Sequence, residues 1–246
     1  MRGPLLCLSD TDMNTQPHTA PPVKEYFDTI APRYDRANTL LSFGLHHLWR
    51  QRTIRMAGIA QGAVVLDVCG GTGDLALRAA PAASASGRVC IYDFSRPMLA
   101  QARRKQTRAG QVHLVCGDIY AMAVRGESVD VVLIGFGLRN LTDMVPAIRE
   151  IYRVLKRGGR LVCLEFSRPG NVWFRMLYDL YSFYIIPWAG ERIAGCRAAY
   201  QYLPASIRRF PLPDQLADLL RAAGFVQVSY TLLAGGIAAI HRAEKQ

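Results

Sequence analysis

No apolar run in the 246-residue chain approaches the about 18 residues needed to cross a bilayer as a helix, so a helical membrane span is not expected. There is no Cys-x-x-Cys pair, which argues against a zinc site; the metal expectation is none. The six cysteines (Cys7, Cys69, Cys90, Cys116, Cys163, Cys196) are widely spaced. Cys69, Cys90, Cys116 and Cys163 fall in strand-like runs, where cysteine behaves as a small buried hydrophobe, and this fits a reducing, cytoplasmic compartment. The N-terminus carries one arginine and a brief apolar patch, Pro4 to Leu8, too weak for a signal peptide. No internal repeat is visible. Carboxylates are also scarce: 19 Asp and Glu face 30 Lys and Arg, a formal net charge of +11. Such a surface favours an anionic partner, nucleic acid or an acidic membrane face, although surplus arginine is also ordinary solvated surface. At 50% hydrophobic residues the length suits one α/β domain with a full core and some appended helices.

What is present is organised around Val64-Val65-Leu66-Asp67-Val68-Cys69-Gly70-Gly71-Thr72-Gly73-Asp74. An apolar run suited to a buried strand breaks into three glycines within four residues, then resumes as a helix-like pattern from Leu75. Strand, glycine turn and helix let a ligand approach bare backbone at the end of a parallel sheet. A dinucleotide fingerprint needs G-x-G-x-x-G, and here Ala76 stands past the glycines. Asp67 before the turn and Asp74 after it repel a pyrophosphate and favour a cationic or neutral ligand. S-adenosylmethionine carries a sulfonium and an ammonium and has no phosphate, and the stretch resembles the first motif of class I methyltransferases.

Residues 1–21 are polar, proline-bearing and without period, and are expected to form a disordered tail, with Met13 an alternative start. Residues 22–246 read as one domain. Within it, 22–60 form lid helices ahead of the first strand, dense in Tyr, Asp, Asn, Ser, His and Trp. A second strand ends at Asp93, about 20 residues past the glycines, where this fold places a carboxylate for ribose hydroxyls. Met98 to Arg108 reads as a basic helix with a solvated face. The third strand ends at Asp118, placed for an adenine amino group, with Ile119 beside the ring. The fourth, Val129 to Ile134, runs into Gly135-Phe136-Gly137-Leu138-Arg139-Asn140, and the switch-point rule puts Arg139 and Asn140 toward the acceptor. Leu141, Val145, Ile148, Tyr152 and Leu155 keep helical spacing, ended by Lys156-Arg157-Gly158-Gly159. After a fifth strand, Arg160 to Phe166, residues 168–212 form an aromatic insertion able to wall a pocket or touch a membrane surface. A helix, Asp214 to Ala223, and a hairpin through Gly235-Gly236 close the chain.

Tyr34-Asp35-x-x-Asn38 with Leu41-Ser42, Gly44, His46 and Trp49 resembles the N-terminal signature of the ubiquinone/menaquinone biosynthesis C-methyltransferases. Arg153-Val154-Leu155-Lys156-x-Gly158-Gly159 with Glu165 and Ser167 resembles their second signature, and Phe136 to Asn140 and Ala234 to Arg242 are similar to the same family. The likeness spans about 23–243. It departs at Ala37, Arg157, Gly135 and Ala198-Ala199.

The resemblance implies a Rossmann-like class I methyltransferase fold, a seven-stranded, mostly parallel sheet with helices on both faces and a C-terminal antiparallel hairpin. It implies methyl transfer from S-adenosylmethionine to a ring carbon of a polyprenylated hydroquinone, a naphthoquinol or a benzoquinol, by direct displacement without a metal. Cofactor contacts fall to Asp67, Gly70, Gly71, Thr72, Gly73, Asp93, Asp118 and Ile119. A ring carbon is a poor nucleophile until its phenol, with pKa about 10, loses a proton. Arg139 would supply fixed positive charge and Asn140 a positioned water, with His46 and Tyr34 as secondary candidates and Glu165 holding structure. The implied partners are the polyprenyl quinol and a membrane surface on the inner face of the cytoplasmic membrane; homodimerisation is left open. A small-phenol O-methyltransferase, a nucleic-acid methyltransferase and a non-catalytic cofactor-binding protein compete. Gly-Phe-Gly-Leu after the fourth strand, in place of Asn/Asp-Pro-Pro-aromatic, argues against nucleic acid as a partner.

Overall fold

The computed structural model describes residues 23–106 and 112–246. The expected tail at 1–21, with Cys7 and Met13, and the end of the basic helix at Arg108 lie outside the described residues. Runs rich in Val, Ile and Leu form the strands, as the pleated, doubly covered surface of a parallel sheet favours. These are β1 (Val64–Val68), β2 (Arg88–Asp93), β3 (Val112–Cys116), β4 (Val129–Gly135), β5 (Leu155–Phe166), β6 (Phe225–Leu233) and β7 (Ala238–Lys245). Among the described residues they make one seven-stranded sheet in the order β3-β2-β1-β4-β5-β7-β6. β1 to β5 pair in parallel, whereas β7 runs antiparallel to both β5 and β6. The chain leaves β1 toward β2 on one side and reaches β4 on the other, so the crevice for a ligand opens at the C-terminal ends of β1 and β4.

Alternate residues of each strand feed opposite cores. Val65, Val131 and Leu133 join one buried cluster, while Leu66, Val68, Val132 and Ile134 join the other. The lid helices are α1 (Val23–Ile30), α2 (Tyr34–Leu41) and α3 (Leu45–Ala57). The helices between strands are α4 (Asp74–Ala83), α5 (Arg96–Lys105) and α6 (Met144–Val154). The insertion folds as α7 (Val172–Leu180), a π-helical turn over Tyr181–Ile185, α8 (Ile186–Ala194) and α9 (Arg197–Arg209), followed by α10 (Pro213–Ala222). A third buried cluster, including Ile30, Ala37, Met98, Ile186 and Tyr200, joins lid, α5 and insertion. Tyr181 Oη donates to the Leu41 carbonyl at 2.8 Å, tying the π-helical turn to the lid. No helix among the described residues is long and apolar enough to cross a membrane.

Two local expectations are corrected. The helix does not run through Leu155 to a glycine stop. It ends at Val154, and Leu155 is extended because it pairs with Val129 as the start of β5, with Gly158 at φ 73° in the bulged stretch before Arg160. Nor do Leu141 and Val145 share the helix's buried face: Leu141 precedes the helix, though it packs against the same core, Val145 is exposed, and the buried stripe is Ala147, Ile148, Ile151 and Val154.

Candidate active site

β1 ends in a backbone that only a short, glycine-rich turn can follow. Cys69 has φ 53°, Gly71 φ 54° and Gly73 φ 80°, all in the left-handed region. A Cβ at Gly70 would lie 2.8 Å from Ile91 Cγ2 and 2.9 Å from the Asp67 carbonyl oxygen. A Cβ at Gly73 would lie 2.5 Å from Ile91 Cδ1, so this glycine lets the turn sit on β2. Gly71 differs: a Cβ there meets nothing within 4 Å, and the bare backbone faces open space.

Two buried carboxylates brace this turn. Asp67 Oδ2 accepts the Ala76 N–H at 2.9 Å, while Asp67 Oδ1 is buried without a partner among the described residues. Asp93 Oδ2 accepts the Gly71 N–H at 2.8 Å and Oδ1 the Ser95 N–H at 2.8 Å. Burial, partly offset by the Ala76 hydrogen bond and reinforced by the Asp93 charge, pushes the Asp67 carboxyl up to about 7. Burial also raises Asp93 to about 6, against the lowering effect of its backbone hydrogen bonds.

The lid is fastened to the same turn. Thr72 Oγ1 donates to Asp35 Oδ1 at 2.7 Å, and Lys105 Nζ reaches Asp35 at 2.6 Å, Asp74 at 2.8 Å and Thr72 Oγ1 at 2.9 Å. Arg50 of α3, buried, lies 3.3 Å from Asp74. Burial alone would raise Asp74, but Arg50 and Lys105 outweigh it and hold the carboxyl below its usual range. This corrects two expectations. Asp74 does not present a free negative charge to a ligand, and Lys105 is not part of a solvated face. Lys105 lies three residues past buried Ala102, on the inward stripe of α5.

Two cavities meet at this edge of the sheet. The smaller, about 60 Å³, lies over the turn between Asp67, Gly70, Gly71, Thr72, Asp93 and Asn140. The larger, about 420 Å³, lies between lid and insertion. Phe27, Tyr34, Arg50, Phe136 and Asn140 belong to the walls of both. Phe136 has φ 60°, the strained position that turns the chain out of β4 and swings Arg139 and Asn140 to this face. Arg139 lines the larger cavity, but its guanidinium is ion-paired: Nη1 donates to Glu165 Oε1 at 2.8 Å and to the Phe136 carbonyl, and the Arg139 N–H donates to Glu165 Oε2 at 3.2 Å. The two side chains are 6% and 1% exposed, so the pair is desolvated. The guanidinium also lies 5.2 Å from the centre of the Phe166 ring. Asn140 Nδ2 donates to the Phe136 carbonyl at 3.1 Å, leaving its buried Oδ1 unpartnered among the described residues.

His46 is buried in the wall of the larger cavity, 3.1 Å from Thr39 Oγ1 through Nε2. Thr39 Oγ1 also donates to the Asp35 carbonyl at 2.9 Å, and His46 Nδ1 is buried without a partner among the described residues. Asp118 and Ile119 are not brought to either cavity. Asp118 Oδ1 caps a short turn through the Tyr120 N–H at 3.0 Å, and Ile119 is packed in the core. Phe27, Arg50 and Lys105 are among the members of the site that the sequence alone did not mark.

The sequence profile of the ubiE/COQ5 methyltransferase family matches residues 12–245. The chain belongs to this family. The ubiquinone/menaquinone biosynthesis C-methyltransferase UbiE of Edwardsiella ictaluri is 42% identical over 226 residues, covering 91% of this chain and 90% of its own. Among solved structures the [4+2]-cyclase SpnF superposes with a TM-score of 0.68 at 18% identity, covering 93% of this chain and 97% of its own. A Haemonchus contortus phosphoethanolamine N-methyltransferase bound to S-adenosylhomocysteine gives 0.65 at 15%, covering 91% and 60%. The family is one of S-adenosylmethionine-dependent methyltransferases, and the turn fits that co-substrate. Its bare Gly71 backbone, the unpartnered Asp67 Oδ1 and the anionic Asp67–Asp93 floor suit a cation without phosphate.

Proposed function

We propose that this enzyme transfers a methyl group from S-adenosylmethionine to a ring carbon of a polyprenylated hydroquinone, a reading supported by its 42%-identical relative, a ubiquinone/menaquinone biosynthesis C-methyltransferase. The observation that carries the reading is the apolar cavity of about 420 Å³ sharing Tyr34, Phe136 and Asn140 with the cavity over the glycine turn. Such a volume lies within the about 300–1,000 Å³ typical of small-molecule sites and suits an aromatic ring with the start of a tail. Phe43, Leu177, Leu180 and Ile185 belong to its walls and are exposed, so the cavity opens among apolar side chains through which a tail can leave.

When bound, S-adenosylmethionine supplies a sulfonium-activated methyl group. Asp67, Gly70, Gly71 and Asp93 would hold it, with Thr72 and Gly73 shaping the turn and Tyr34 lining the same cavity from the lid. Asn140, in both walls, offers its bare Oδ1 to a ring hydroxyl or to a water that takes the phenolic proton. His46 Nδ1, also without a partner among the described residues, belongs to a second residue of the cavity wall. Arg139 is compensated by Glu165, so it favours a developing phenolate through fixed N–H groups rather than through net charge. Packing of the lid against the insertion keeps bulk water from the ring and aligns it for displacement.

The same exposed apolar face, with Trp173 at 78% and Tyr184 at 71% exposure, supports peripheral attachment to an anionic membrane surface. Arg192 lies 4.1 Å over the Trp188 ring, setting a cation at the border of this face. The functional test is the mass of the quinone pool in a strain lacking the relative's gene and complemented with this chain. Restoration of the methylated quinone is expected. Persistence of the demethylated form alone, with the protein expressed and folded, refutes the reading.

A further inference from the structure

Buried polar atoms without partners are uncommon in native proteins, and each calls for a reason. Five residues that line the apolar cavity carry one among the described residues: His46 Nδ1, Arg50 Nη1, Arg139 Nε, Asn140 Oδ1 and the hydroxyl of Tyr200. The first four belong to residues already given roles. Tyr200 does not. It lies on α9, is 4% exposed, and packs in the cluster that joins lid to insertion. Its ring is fixed in place by close approach to α8: a Cβ at Gly190 would come within 2.2 Å of Tyr200 Cγ and 2.4 Å of Cδ2. Phenylalanine would fill the same space without burying an unsatisfied hydroxyl.

Position within the site separates Tyr200 from Asn140. Asn140 lines both cavities and therefore stands where the acceptor ring meets the co-substrate. Tyr200 lines the apolar cavity alone. A hydroquinone carries two oxygens on opposite sides of its ring. With one oxygen at Asn140, beside the carbon to be methylated, the other falls farther from the glycine turn. Burial raises the Tyr200 phenol above its usual range, with Tyr34 and Cys196 adding to the effect, so at neutral pH it remains an O–H donor. Tyr26, Tyr34, His46, Arg50, Arg139, Tyr178, Tyr181 and Tyr202 are the other titratable residues lining this cavity.

We propose that Tyr200 is a positioning residue for the acceptor: its hydroxyl donates a hydrogen bond to the ring oxygen opposite the one held at Asn140, so that the pocket selects rings bearing two para oxygens over simple phenols. The proposal rests on the hydroquinone reading of the site and adds the group that recognises the second oxygen.

The test compares wild type with Tyr200→Phe, which keeps the ring packed on Gly190 and removes one atom. The probes are a short-tailed hydroquinone, held reduced, and its analogue with the distal oxygen replaced by hydrogen. Equilibrium binding is followed by quenching of intrinsic fluorescence, and methylation is followed by steady-state kinetics. The expected result is a hydroquinone Kd and KM raised about 3- to 10-fold in the variant, the worth of one neutral hydrogen bond. Kd for S-adenosylmethionine and the melting temperature should be preserved. The wild-type preference for the hydroquinone over the analogue should fall by the same factor. A variant that binds both probes as wild type does, or that loses affinity for both equally, overturns the assignment of Tyr200. A well-folded wild type that binds neither probe overturns the hydroquinone reading itself, and Tyr200's role with it.

Discussion

Binding of S-adenosylmethionine should expel protons from the glycine-turn floor. The motive is the pair of buried carboxyls held at about 7 for Asp67 and about 6 for Asp93 in the ligand-free protein. At pH 6.5 those values leave Asp67 about three-quarters and Asp93 about one-quarter protonated, roughly one proton in all. A sulfonium and an ammonium nearby, and hydroxyls donating to Asp93, favour the ionised forms, so the proton must leave on binding. By linkage the affinity then falls about tenfold from pH 7 to pH 6, a range in which the ligand's own amino group, near pKa 7.7–8.0, stays charged. Titration calorimetry in two buffers of different ionisation enthalpy counts the protons directly, with about one expected at pH 6.5. Asp67→Asn should reduce the count by about three-quarters while leaving the Asp93 share.

The apoprotein carries the opposite sign. A carboxyl raised on folding binds protons that the unfolded chain has already lost, so between about pH 4 and pH 7 the apoprotein loses stability as pH rises. The thermal shift on adding S-adenosylmethionine should accordingly be larger at pH 7 than at pH 6. An affinity that is flat from pH 7 to pH 6, with no proton released in either buffer, would show that Asp67 and Asp93 are already ionised and that the desolvation reasoning is wrong.

Arg139→Ala should lower the single-turnover rate at saturating substrates by about 10²-fold and, by stranding Glu165 inside the protein, cost about 3–5 kcal/mol of stability. A rate within a few fold of wild type at every pH would remove Arg139 from the chemistry. Lys105→Met should weaken co-substrate binding and speed its release, since it cuts the Asp35–Lys105–Asp74 link between lid and turn; stopped-flow dissociation unchanged from wild type would dismiss the link. In vesicle flotation, anionic liposomes should retain the protein at low salt, and Phe43→Ala with Trp173→Ala should release it. Equal, negligible retention on anionic and neutral vesicles would rule attachment out.

Much of the framework was legible because it rests on local rules. The strand before Asp67, the carboxylate ending β2 and the hairpin through Gly235-Gly236 all follow from periodicity and turn chemistry. The misses share another cause. Leu155 has helical spacing from Ile148, yet pairing with Val129 recruits it to the sheet. Asp74 looked like a ligand-facing charge because its partners, Arg50 and Lys105, come from helices on either side of it in sequence. Arg139 looked free because Glu165 lies a strand away. A charge can be read from sequence, but its compensation is a tertiary fact. Lys105 was the recoverable case, since its spacing from Ala102 already placed it inward.

Compensation also explains how one site serves two unlike ligands. Over the glycine turn, Asp67 and Asp93 lack a paired cation at hydrogen-bond distance among the described residues, so the floor gains most when a cation arrives. Across Phe136 and Asn140 every strong charge is closed on itself, Arg139 on Glu165 and Arg50 against Asp74. That leaves an apolar chamber with a few bare hydrogen-bonding atoms in its walls. On the proposed reading, a hydroquinone entering it loses little water from charged groups, because those groups are already dry, and its two oxygens meet Asn140 and Tyr200. The arrangement makes binding of the greasy ring depend on shape and two hydrogen bonds, and binding of the co-substrate depend on charge. Because Asp67 and Asp93 are themselves buried, added salt should weaken co-substrate binding only slightly and leave hydroquinone binding unchanged.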